Sequence, residues 1–187
     1  PMWVGYYQML ECMYGKHPIR NRIAGTAETV AEITEETLQR AYACYYTTDE
    51  MALVCAGDIP LGEVRRMAER VARRETAARV YFPTEDAEIA EKYRACEMRL
   101  SVPQFQIGCK LPPLPKQDWL KKRMAAGFCM ELLAGESSVF FQKAYEWDWL
   151  DEALGSAFFC GEGYAFAAFS GSGTHPEETA DFLGSRR

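Results

Sequence analysis

Histidine is nearly missing from this chain of 187 residues: only His17 and His175 occur, and they stand far apart. A zinc site gathers three or four ligands, usually with two on one helix three or four residues apart. His17 has no partner at that spacing and His175 sits in a cap, "THPEE", more than 150 residues away, so no metal site is expected from this chain alone. Seven cysteines occur without a single CxxC pair, which excludes zinc-ribbon and thioredoxin-type motifs. GxSxG is absent as well, and "SGSGT" (170–174) lacks the lysine of a phosphate-binding loop. An excess of positive charge is also missing. The formal net charge of −6 argues against a general nucleic-acid binder, since phosphate recognition needs a basic surface. No apolar run approaches the length of a membrane-spanning helix. The opening "PMWVGYYQML" has no basic n-region, so no signal peptide is expected. Position 1 is not methionine and the chain ends in "LGSRR"; together these suggest a fragment of a longer protein.

What is present is the material of a core. Hydrophobic residues make up 48% and aromatics 13%, which excludes a disordered chain. The cysteines fall mostly within apolar stretches and their number is odd. Buried, reduced thiols in a cytoplasmic protein are therefore expected.

The pattern of elements can be read in order. "MWVGYYQMLECM" carries apolar residues at helical spacing (Trp3, Tyr6, Tyr7, Leu10, Met13), and Gly15 supplies a stop. Thr26 and Thr34 are placed to cap "AETVAEI" and "EETLQRAYACYY", the second with a stripe of Leu38, Ala41, Tyr42 and Tyr45. "MALVCAGD" reads as a buried strand, and "LGEVRRMAERVARR" as a helix with Val64, Met67, Ala68 and Val71 turned inward. From Glu75 to Arg99 the chain is charged and aperiodic, as in a linker. "SVPQFQIGCKL" then alternates like a strand. "QDWLKKRMAAGFCMELLAG" is the clearest helix, with Leu120, Met124, Phe128 and Leu132 four apart. A shorter helix follows the Ser137–Ser138 turn, then a hairpin of "EALGSAFFC" and "GYAFAAFSG" joined by "GEG". Thr174 and Glu177 predict a capping box ahead of "ETADFL". The class is α+β.

Candidate chemistry is thin. The loop "YGKHPIRNRIAGT" gathers Lys16, His17, Arg20 and Arg22 and could bind an anion, but solvated or ion-paired side chains are the simpler reading. Cys12 is the only cysteine near a histidine and lies on a probable core face. Trp147 and Trp149 among Asp148, Asp151 and Glu152 could hold a ligand, but an exposed helix end half-packed on a neighbour is the simpler reading.

The order of segments is more telling than any one residue. "YGKHPIRNRIAGTAETVAEITEETLQRAYACYYTTDEMALVCAGDI" resembles a stretch of the pitrilysin/insulinase family of zinc metallopeptidases, bacterial subgroup. The shared positions are Gly15, His17, Pro18, Gly25, Thr26, Glu28, Ile33, Thr34, Met51, Gly57 and Asp58, whereas Glu50 stands where the family has asparagine. "SVPQFQIGCK", "ELLAGESSVFFQKAYEWDWLDEALGSAF" and "GYAFAAFSGSGTHPEETADFL" continue the resemblance over nearly the whole chain.

The resemblance implies the metalloenzyme fold of the LuxS and mitochondrial processing peptidase type, with parts of two consecutive homologous domains. Residues 1–78 would be the C-terminal half of the first, 79–98 a linker, and 99–187 the N-terminal part of the second. It also implies that the HxxEH zinc motif, its general base and the distal glutamate ligand lie upstream. No catalytic or metal-binding residue is then expected here, and His17 falls on a turn position. A zinc cofactor is expected only in an intact parent that keeps the motif. The implied role is to shape a chamber that encloses peptides, with Ser137, Ser138 and Tyr145 as substrate-facing residues. In many members an arginine and a tyrosine contact substrate where this chain has Tyr145 and Glu152. Implied partners are peptides, the rest of the parent chain, and a homologous subunit or a second copy, with neither nucleic acid nor membrane. The alternative is a catalytically inactive partner of the same fold.

Overall fold

The computed structural model describes residues 1–71, 81–83, 85–150 and 154–184, with only the backbone described at Glu50. The end of the fourth expected helix, the boundary at Ala78 and Glu152 lie outside these residues. The chain divides into two compact units: Pro1–Ile23 with Phe82–Arg187, and Ala24–Tyr81. The junction at Tyr81 falls within the stretch expected as linker, but Pro1–Ile23 folds with the later residues.

In the first unit, three strands form an antiparallel sheet in the order β1–β3–β2: β1 is Gln104–Leu111, β2 Gly155–Gly161 and β3 Tyr164–Ser172. The expected hairpin is present: Gly161 faces Tyr164, so Glu162 and Gly163 make the turn, and Gly163 takes a φ of 79° that suits glycine. The central strand β3 is covered on both faces, which is why it reads as a nearly unbroken apolar run. Phe166 and Ala168 point to helix α1 (Met2–Met13), where they meet Met9, Leu10, Met13 and Tyr14. Ala167 and Phe169 point the other way, to Met130 and Ala134 of α5 (Trp119–Ala134) and to Phe140 and Ala144 of α6 (Val139–Glu146). Gly108 lets α1 lie close on β1, since a Cβ there would come within 2.6 Å of Met13 Sδ. Helix α7, Pro176–Gly184, closes the unit. The helix starts at Pro176, after His175, whose Nδ1 is 3.3 Å from Glu178 Oε1.

The second unit holds α2 (Ala27–Ala31), α3 (Glu35–Tyr45) and α4 (Leu61–Glu69). Thr26 and Thr34 cap the first two as expected, each accepting a backbone N–H three residues on. The strand expected at "MALVCAGD" (51–58) is not in the one sheet among the described residues; Val54 is 86% exposed. Its run of apolar residues fits a strand covered on both faces, but a strand needs a neighbour for its N–H and C=O groups. The inward faces expected on α3 and α4 are open too, with Leu38, Tyr42, Met67 and Val71 exposed.

The helix expected from the spacing of Leu120, Met124, Phe128 and Leu132 is α5, and that stripe faces solvent, with Phe128 68% exposed, while Met130 and Ala134 take the inner face. One further expectation is corrected. Of the seven cysteines, all free, only Cys12 is buried. Residues Trp119–Glu146 are long and apolar enough by composition for a membrane span, but they form two helices broken at Gly135–Ser138. The longer, α5, has 16 residues, short of the ~20 a bilayer needs.

Candidate functional site

The turn after α1 is built around His17, which is 1% exposed. Pro18 holds His17 in an extended conformation, and the ring folds back onto the chain. Nδ1 accepts the Ile19 N–H at 3.1 Å, so the other nitrogen carries the proton, and Nε2 donates to the Glu162 carbonyl at 3.0 Å. The ring stacks on Phe82 at 5.3 Å with planes 5° apart, and meets Tyr164 edge-on. Both nitrogens therefore serve the scaffold, linking the turn to the β2–β3 hairpin. Neither is left for a metal.

The positive side chains around His17 diverge. Lys16 Nζ pairs with Asp86 at 2.8 Å, Arg20 donates to the Gly15 carbonyl, and Arg22 lies over the Tyr7 ring. Instead, the turn's backbone receives an anion from the chain itself. Glu85 accepts the N–H groups of Gly15, Lys16 and His17 at 2.9, 2.9 and 2.6 Å, and the Lys110 ammonium lies 3.3 Å away. Burial opposes ionisation of this carboxyl, but three N–H donors and the ammonium outweigh it and hold its pKa down to about 2. Sequence reading missed Glu85 because it sits in an aperiodic charged stretch with no motif around it.

The substrate-facing candidates lie at the α5–α6 corner. Gly135 ends α5, its N–H donating to the Glu131 carbonyl, and Ser138 begins α6 by accepting the Phe141 N–H at 3.0 Å. Ser138 is thus a buried cap that fixes the corner. Ser137 is exposed beside it. Tyr145 lies two turns on, 71% exposed, with its ring stacked on Phe141 at 6.5 Å. Trp147 and Trp149 pack on each other and on Phe182 of α7, with Asp148 between them at a φ of 58°. That cluster is packing, as the simpler reading had it. His175 is spent on Glu178, and the described residues hold no group of three or more His, Cys, Asp or Glu placed to hold a metal ion.

The profile of the family described as the peptidase M16 inactive domain matches residues 32–183. The chain belongs to this family. It is 27% identical over 192 residues to the uncharacterized zinc protease YmfH of Bacillus subtilis (strain 168), covering 99% of this chain and 45% of that protein. Among solved structures, an M16-like peptidase from Alicyclobacillus acidocaldarius superposes with a TM-score of 0.86 at 24% identity, over 97% of this chain and 44% of that one. A peptidase M16 inactive domain from Pseudomonas fluorescens gives 0.76 at 14% identity, over 99% and 45%. The chain thus spans somewhat less than half the length of these relatives, and the fold is that of M16-like peptidases.

Proposed function

We propose that this chain is the non-catalytic portion of a zinc-dependent peptidase, shaping a chamber that encloses peptides. The reading is carried by the family match over residues 32–183. His17 is engaged in scaffold contacts, and no group of three or more His, Cys, Asp or Glu among the described residues could hold a metal ion; in this proposal zinc would be held elsewhere in an intact parent. In the same proposal the chain holds parts of two consecutive homologous domains of the LuxS and mitochondrial processing peptidase fold, meeting within residues 79–98. The uncovered apolar faces of α3, α4, α5 and the stretch 51–56 support this, because a longer polypeptide would cover them. Four exposed free thiols fit a reducing, cytoplasmic setting.

Ser137 and Tyr145 are the proposed contacts to peptide, and Ser138 positions Ser137. An exposed tyrosine supplies apolar area and a hydroxyl to an extended peptide at little entropic cost. Fluorescence anisotropy with a labelled unfolded peptide tests this: binding is expected, weakened by Tyr145→Ala. Binding equal in the variant overturns the assignment.

The second reading is a catalytically inactive partner subunit, which the family's description as an inactive domain favours. The parent's coding sequence upstream separates the two: HxxEH supports the peptidase and its loss supports the partner.

A further inference from the structure

Residues 85–94 belong to the first unit, yet their side chains are mostly exposed. Ile89 and Tyr93 face solvent, and residues from 86 to 94 are exposed throughout. The exception is the Glu85 side chain, 7% exposed and meeting a Lys110 side chain that is 8% exposed. Three successive N–H groups of one turn converge on the same carboxylate, the geometry of a backbone nest for anions. Lys110 also donates to the Glu88 carbonyl at 2.8 Å, tying β1 to the same strap. Further along, the Glu91 N–H donates to the Cys12 carbonyl, and Arg94 bridges Glu11 and Glu91 at half-exposed positions.

We propose that Gly15–His17 and Lys110 form a carboxylate receptor whose resident ligand is Glu85, and that its occupancy clasps the strap 85–94 to the sheet. The recognised chemistry is a single carboxylate group: planar, anionic, with two oxygens shared among three N–H donors and one ammonium. The inference does not depend on the peptidase reading. The same clasp keeps the turn beside the strap, and Phe82 lies on the His17 ring.

Hydrogen exchange on the whole chain tests the clasp. In Glu85→Ala, the Glu91 amide and those of the turn 15–17 are expected to exchange about tenfold faster while β3 stays protected. Acetate, but not chloride, at tens of millimolar is expected to restore protection at 15–17 by filling the emptied receptor. Asp86→Ala, which removes only the exposed pair with Lys16, is expected to leave the strap unchanged. Unaltered exchange in Glu85→Ala overturns the proposal, and so does loosening by Asp86→Ala to the same extent. Should Glu85→Ala not fold, carbon NMR of the Glu85 carboxyl in the unaltered chain decides instead. A titration midpoint far below other glutamates supports the receptor, and an ordinary midpoint overturns it.

Discussion

The two units carry equally regular sequence patterns and reach very different packing. In the first, β3 is covered by α1 on one face and by α5 and α6 on the other, and Phe166 is fully buried. In the second, α3 and α4 have well-marked apolar faces, yet Thr47 is the one fully buried side chain among its described residues. Periodicity therefore reports that an element has an inside. It does not report whether the covering partner belongs to the same stretch of chain.

This contrast can be broken or sharpened by substitution, beginning in the first unit. Phe166→Ala should cost ~3–5 kcal/mol of stability, read from urea unfolding, because it empties the contact between α1 and β3. The next effect is that of pH. The carboxyl of Glu85 lies at about 2, against an ordinary 4.5. Its stabilisation is present in full above the ordinary value and is lost as pH falls towards 2. On the order of 3 kcal/mol should disappear across that window, and Glu85→Gln should flatten the urea midpoint against pH there.

Smaller effects follow from single polar groups. His17→Ala leaves the Glu162 carbonyl and the Ile19 N–H without their partners and should cost ~1–3 kcal/mol by the same unfolding measurement. Ser138→Ala removes the α6 cap, for ~1 kcal/mol. Least of all should be Leu38→Ala in the second unit, within ~0.5 kcal/mol, since that side chain already meets water. A loss as large as that of Phe166→Ala would show that α3 packs in solution and would erase the contrast.

Much of the first unit was legible from residues alone. Alternation in "SVPQFQIGCKL", glycines in "GEG" and serine before "VFFQ" each act through local geometry, and each element stands where it was expected. The α5 stripe marked a helix that is present, but four-residue spacing does not name the cover of a face. "MALVCAGD" misled because its strand character depends on a neighbour that the described sheet does not include. Of the candidate site, the turn position of His17 was implied by the resemblance rather than by the residues around it. Ser138 as a buried cap was not separated from its exposed neighbour Ser137, and Glu85 left no local signal at all, because its partners lie 68 to 70 residues back and 25 ahead.

The central claim is that the chain supplies shape and peptide contact while reactive chemistry lies elsewhere. Mass spectrometry of an unfolded peptide incubated with the purified chain and added zinc tests it most directly. The account expects the peptide to be recovered at full length. Cleavage products that vanish when a chelator removes the zinc would contradict it.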